Sequence, residues 1–223
     1  MGSSGLLFDM TQNSFTGFEV QDRGVKGYLE IQAEMQAFTE SRDKDIADQL
    51  WLLEHAPVYT QGTSCKEGTL GPSEIPVVKS DRGGQITYHG PGQLVIYCLI
   101  DLRRRGCGIK TLVSTIEKAV IDYLGTCGLP AVRRKGAPGV YIDGDKVAAL
   151  GLRVRKGCSY HGLSLNVDMD LAPFKNINSC GYKGLQAASL RALGIKQSMS
   201  EVKFAVASNL VHAFTQITNH QVD

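Results

Sequence analysis

Apolar side chains recur at helical spacing at Tyr28, Ile31, Met35 and Phe38, which predicts an amphipathic helix over residues 27–41. Short β-prone runs follow at 50–53, 57–60 and 76–79, each bounded by Pro, Gly or polar residues. Residues 82–92 form a glycine-rich stretch that feeds an apolar strand over 94–100. Ile109, Leu112, Val113, Ile116, Val120, Tyr123 and Leu124 share one helical face, which Gly128 and Pro130 bring to an end. Strands at 140–142 and 146–150 flank Asp143-Gly144-Asp145, the signal of a hairpin whose turn uses positive φ. Residues 152–155 and 163–167 alternate apolar with polar, with a turn at Lys156-Gly157. Near the end, Ser198 and Glu201 have capping-box spacing and open a stripe of Val202, Val206, Leu210, Ala213 and Ile217.

Strands grouped between helices, without strict βαβα alternation, predict an α+β domain with helices packed on a mixed, mostly antiparallel sheet. No linker, repeat or composition break divides the chain, so residues 1–223 are taken as a single domain, with 1–5 read as a cloning scar.

Composition narrows the function. With 43% hydrophobic and 21% charged residues, the chain has the make-up of a globular protein. No run approaches the roughly 18 apolar residues of a membrane helix, and no secretory or transit signal is evident, so a cytoplasmic protein is expected. An organellar protein stripped of its targeting peptide would look the same. The six cysteines lack C-x-x-C spacing and the histidines lack H-E-x-x-H spacing, which favours free thiols and no metal. A net charge of +2 is too small to imply nucleic acid binding. Positive charge is nevertheless clumped at Arg103–Arg105, Arg133–Lys135 and Arg153–Lys156. Such clumps are ordinarily solvated turns; two on one rim would suit an acidic protein partner.

The stretch Arg82 to Gln93 carries four glycines among Arg, Thr, Tyr, His and Gln. It can line a pocket with backbone amides or serve as a tight turn, and it matches neither G-x-x-x-x-G-K-[ST] nor G-x-G-x-x-G. Any of the six thiols could act as a nucleophile, which requires a neighbour that takes its proton or stabilises its charge, and nothing local marks one of them. On local grounds alone, a cysteine is a small buried hydrophobe and a lysine beside Asp145 an exposed turn residue.

A family resemblance rests on these residues. Arg82-Gly83-Gly84, Thr87-Tyr88-His89, Gly92-Gln93, Val95 and Tyr97 match R-G-G-x-x-T-[FYWC]-H-x-x-[GH]-Q-x-[LIVMT]-x-Y, the signature of the lipoyl(octanoyl) transferases, at every specified position. The resemblance continues through Ala137–Tyr141, Lys146–Arg153, Gly157–Val167 and Ile177–Gly181, and spans residues 18–215. Ser179 departs from the Asn-Pro-Cys-Gly of similar bacterial sequences.

The resemblance implies the fold of biotin and lipoate protein ligases. It also implies transfer of an octanoyl group from octanoyl acyl carrier protein to a lysine of apo lipoyl domains, in 2-oxoacid dehydrogenases or the glycine-cleavage H protein, without a cofactor. Cys180 matches the acyl-thioester cysteine and Lys146 the lysine that assists it, by ion pairing or as a base. Arg82, Gly83, Gly84, Gln85, Ile86, Thr87, Tyr88 and His89 match substrate-binding segments, as do Ala149, Leu150, Gly151, Gly162, Leu163 and Ser164. His89 and His161 are expected to line the pocket. Amides near Gly151 or Gly181 are candidate oxyanion donors, and Leu150, Leu163 and Val140 candidate walls of an acyl channel. Cys98 is expected in the core and Cys158 near the site. The alternatives are an ATP-dependent ligase of the same fold, which would not need Cys180 and would carry a G-R-G-R-x-G-R pattern in the biotin-ligase case, and a noncatalytic domain that binds carrier or lipoyl proteins.

Overall fold

The computed structural model describes residues 14, 15, 17–177 and 186–217. Its main sheet contains β1 (Ser14–Phe15), β2 (Phe18–Lys26), β3 (Asp48–His55), β7 (Gln93–Leu99), β8 (Val132–Arg133), β9 (Gly139–Ile142), β10 (Asp145–Arg155) and β11 (Cys158–Asn166). They lie in the order β1-β2-β3-β7-β11-β10-β9-β8. Only β2 and β3 run parallel; the other neighbours are antiparallel. A smaller sheet has β4 (Val58–Gln61) between β5 (Val77–Lys79), parallel to it, and β6 (Ile86–His89), antiparallel. The mixed, mostly antiparallel sheet expected from the sequence is therefore present.

Strand alternation divides the core in two. Leu50, Leu52, Leu94, Ile96, Cys98, Leu163 and Leu165 pack with α2 (Ile109–Thr126) and α3 (Met199–Thr215). Trp51, Leu53, Val95, Tyr97 and Leu99 point the other way, toward Ile31 and Met35 of α1 (Tyr28–Ser41). The central strands are covered on both faces, which is why 94–100 is apolar throughout. The capping box forms: Ser198 accepts from the Glu201 amide, and the Glu201 side chain accepts from the Ser198 amide.

Three expectations change. Residues 146–150 and 152–155 belong to one strand, because Gly151 pairs directly with Gly162 instead of breaking the ladder. Residues 86–89 of the glycine-rich stretch form a strand, β6. The clump Arg103–Arg105 is not simply a solvated turn. Asp48, fully buried at the start of β3, accepts from Arg42 Nη2 at 3.0 Å, Arg104 Nη2 at 2.7 Å and Arg105 Nε at 2.6 Å. Arg105 also reaches the Phe214 carbonyl at 3.0 Å and covers the Phe18 ring, so this cluster ties β3 to the end of α3.

Removing one member of a buried charge network leaves the others uncompensated. Asp48→Asn is expected to cost about 3–5 kcal/mol in urea unfolding. A loss below about 1 kcal/mol would contradict the role given to this cluster.

Candidate active site

A cavity of about 520 Å³ opens between the two sheets and the β9–β10 region. That size falls in the range of small-molecule pockets, about 300–1,000 Å³. Its apolar wall includes Val95, Val113, Leu150, Leu152 and Leu163; its polar groups include Arg82, His89, His161, Ser164, Asn166 and Lys146.

Arg82 anchors one side. Its buried guanidinium donates to Thr60 Oγ1 from Nε at 3.0 Å and from Nη2 at 2.8 Å, to the Thr60 carbonyl at 2.6 Å, and to its neighbour Gly83 O at 3.0 Å. The Gly83 amide donates to the Leu152 carbonyl at 2.9 Å, joining this loop to β10. Gly84 has φ +87°, a conformation suited to glycine. Gly162 permits strand contact: a Cβ there would lie 2.1 Å from the Ile96 carbonyl oxygen.

The histidines sit in a connected set of rings and hydrogen bonds. His55 Nδ1 lies 2.8 Å from the Lys26 carbonyl, which can only accept, so Nδ1 carries the proton and Nε2 accepts from the Tyr97 hydroxyl at 2.7 Å. Burial pushes His55 down to about 4, against the raising effect of the Lys26 bond. His89 Nδ1 donates to Gln93 Oε1 at 2.7 Å; Gln93 donates to Asn166 Oδ1 at 2.9 Å, and Asn166 to the Ala188 carbonyl at 2.9 Å. Burial, helped by nearby His55 and Arg82, also pushes His89 well down. The His89 ring stacks on Tyr28 at 5.9 Å.

Asp81 joins α1 to β11. It accepts from Gln36 Nε2 at 3.2 Å, His161 Nε2 at 2.7 Å and the Tyr160 hydroxyl. Burial would raise its pKa, but the hydrogen bonds from His161 and Tyr160 outweigh this and hold the carboxyl well below the usual range.

Lys146 occupies a bulge in β10 opposite β9. Its amide donates to the Gln186 carbonyl at 2.9 Å, and its carbonyl accepts from Ala188 N at 3.0 Å. Nζ lies 3.4 Å from the Pro138 carbonyl and 5.3 Å from the centre of the Tyr141 ring. Burial and Arg134 lower its pKa, opposed by Glu117. Gly139, at φ +144°, leaves room for the lysine stem; a Cβ there would come within 3.2 Å of Lys146 Cε.

Of the residues singled out from the sequence, Lys146, Arg82–Thr87, His89, Ala149–Gly151 and His161–Ser164 line this cavity. Tyr88 does not: its ring packs between Tyr59, at 5.5 Å, and Phe174, at 5.6 Å. Val140 likewise belongs to the core beneath α2 and α3, while Leu150 and Leu163 line the cavity. Cys98 is core, its thiol pushed by burial up to about 12. Cys158 lies opposite Asp101 at the other end of β11 and does not line the cavity. Cys180 and Gly181 lie outside the described residues. Sequence reasoning missed Tyr28, His55 and Asp81, which topology brings here from separate segments; Asp81, adjoining Arg82, offered the nearest signal. Among the described residues no helix is long and apolar enough to cross a membrane, and no cluster of three His, Cys, Asp or Glu side chains could hold a metal.

The Lipoyl protein ligase A/B catalytic domain model matches residues 27–211. An Octanoyltransferase of Xanthomonas campestris pv. campestris (strain B100) is 53% identical over 197 residues, 88% of this chain and 85% of that protein. An Octanoyltransferase of Thiobacillus denitrificans is 50% identical over 213 residues, 95% of this chain and 98% of that protein. Among solved structures, lipoate-protein ligase A bound with ATP aligns with a TM-score of 0.69 at 16% identity, covering 92% of this chain and 87% of that one. Biotin protein ligase from Aquifex aeolicus with biotin and ATP aligns with a TM-score of 0.59 at 12% identity, covering 93% and 74%. These two likenesses establish the fold.

Because folding holds His55 uncharged, its stabilising contribution is complete above the unfolded-state pKa of 6.5 and is lost as pH falls toward about 4. His55 alone should remove about 3 kcal/mol across that window. His89 and His161, shifted in the same direction, add to the loss. Urea unfolding at stepped pH checks this; stability that stays flat from pH 6.5 to 4 would contradict it.

Proposed function

The chain belongs to the lipoyl protein ligase A/B catalytic domain family, and from that premise we propose that it is an acyltransferase forming a transient octanoyl thioester on Cys180. The donor is octanoyl acyl carrier protein. The acceptor is a lysine of an apo lipoyl domain, in a 2-oxoacid dehydrogenase or the glycine-cleavage H protein. In the first half-reaction the Cys180 thiolate attacks the donor thioester and releases the carrier thiol. In the second, the target amine attacks the acyl-enzyme and releases Cys180. An activated thioester becomes a more stable amide, so the exchange needs no ATP.

The observation that supports this most is the clustering of Lys146 with the glycine-rich segments on one cavity. Ile177 and Gln186, the described residues on either side of 178–185, line the same cavity. A free thiol ionises at about 8.5, so little thiolate exists at neutral pH without help. A lysine held in part-buried surroundings beside Arg134 is biased toward losing its proton, which suits Lys146 to accept the proton of the thiol. The apolar wall suits an alkyl chain, while Arg82, His89 and Ser164 supply polar groups for the carbonyl and carrier arm.

A transfer assay with octanoyl carrier protein and apo lipoyl domain tests this assignment. Cys180→Ala should abolish transfer. Lys146→Ala should slow acyl-enzyme formation by at least about 100-fold and flatten its rise between about pH 6 and pH 9. Full activity of Cys180→Ala would overturn the thioester route; an unchanged pH profile in Lys146→Ala would remove the lysine's role.

A further inference from the structure

Glu117 is the exception on the buried face of α2. Leu112, Ile116, Ala119, Val120, Tyr123 and Leu124 fill that face with apolar or aromatic side chains, and Glu117 lies among them at 6% exposure. A carboxylate in such a place is costly unless it is bonded. Here Oε1 accepts from the Gly139 amide at 2.9 Å, and Oε2 meets Arg133 Nε at 3.3 Å. The acyl transfer proposed above makes no use of this group.

The peptide that Glu117 holds is the one that meets Lys146. The Pro138–Gly139 unit donates its N–H to Glu117, and its carbonyl accepts from Lys146 Nζ at 3.4 Å. The unit is trans, so these two groups point to opposite sides of one rigid plane, and fixing the N–H fixes the direction of the carbonyl. Gly139, at φ +144°, permits the close approach: a Cβ there would lie 2.7 Å from the Ala148 carbonyl oxygen. The rest of the connection is stapled down as well. Arg133 Nη2 donates to the Ser114 carbonyl of α2 at 2.6 Å, and the Tyr141 hydroxyl of β9 donates to the Ala137 carbonyl at 2.9 Å. Among the described residues, the charged and titratable groups that act on Nζ are Glu117 of α2, Arg134 of the β8–β9 connection and Tyr141 of β9. Arg134 and Lys146 both lie over the Tyr141 ring, at 4.7 and 5.3 Å from its centre.

Resting on the role given to Lys146 above, we propose that Glu117 is the positioning residue of Lys146 and acts on it through the Pro138–Gly139 peptide. The carbonyl holds one N–H of the amine and so sets where Nζ stands at the cavity wall. The chain of carboxylate, peptide and amine polarises that carbonyl toward the lysine. The charge of Glu117 has a second effect, opposite in sign to that of Arg134: the carboxylate favours the ammonium, and the guanidinium favours the free amine.

Two variants separate the bond from the charge. Glu117→Ala removes both, whereas Glu117→Gln keeps an oxygen for the Gly139 amide and loses only the charge. In transfer from octanoyl carrier protein to apo lipoyl domain, Glu117→Ala should lower kcat by about 100-fold with donor KM unchanged, and Glu117→Gln should restore most of the rate. The amine itself is read without turnover, by competitive labelling of the folded protein with trace acetic anhydride across pH and peptide mapping of Lys146. In Glu117→Gln the labelling midpoint of Lys146 should move to lower pH, while that of the exposed Lys196 stays in place. An unmoved Lys146 midpoint, or a Glu117→Gln protein as slow as Glu117→Ala, would overturn the inference. Should Glu117→Ala fail to fold, the midpoint in Glu117→Gln decides alone. Full activity of Lys146→Ala would instead remove the lysine from the transfer reaction, and the labelling midpoint would still decide whether Glu117 acts on it.

Discussion

Two adjacent residues of opposite charge, Asp81 and Arg82, hold the cavity between its two sheets. Arg82 reaches into the small sheet and grips Thr60 through three hydrogen bonds. Asp81 reaches the other way and collects Gln36 from α1 with Tyr160 and His161 from β11. Buried charge is tolerated when it is this fully bonded and is costly otherwise. This polar strap links the small sheet, α1 and β11 beside the cavity. Burial favours the uncharged form of His55, His89 and His161, and for His161 it outweighs the attraction of Asp81.

What was legible in the sequence follows from range. Helices α1 and α2 and strand β7 announce themselves by local periodicity, and the capping box before α3 by local spacing. Strand β2 does not, because Phe18–Lys26 mixes charged and apolar residues and is pinned by parallel pairing to β3 with a shift between Asp22 and Val25. Gly151 suggested a break in a strand that continues, since the reason for it is Gly162 on the neighbouring strand. The glycine-rich signature marks one wall of the cavity, apart from Tyr88, whose ring packs into the satellite cluster with Tyr59 and Ile86. His55 and Tyr28 were invisible: nothing near them in sequence indicates chemistry, and they approach His89 only through sheet order and the packing of α1.

The site divides its work between apolar surface and oriented polar groups. Val95, Leu150 and Leu163 provide a surface that an alkyl chain can cover, while neutral imidazoles offer lone pairs whose direction is set by their other nitrogen. His55 is fixed by the Lys26 carbonyl, His89 by Gln93 and His161 by Asp81. Lys146 enters from the opposite side on a bulged strand, with an amine that burial and Arg134 bias toward neutrality. In the proposed reaction that amine takes the proton of the thiol, and the apolar wall holds the alkyl chain.

The central claim is that the acyl group rests on Cys180 between donor and acceptor. Intact-mass measurement of the protein after incubation with octanoyl carrier protein, followed by peptide mapping, tests it most directly. The account predicts one octanoyl adduct, mapped to Cys180, that disappears when apo lipoyl domain is added. Transfer that proceeds with no such adduct, or an adduct on another residue that discharges to the lipoyl domain, would contradict it.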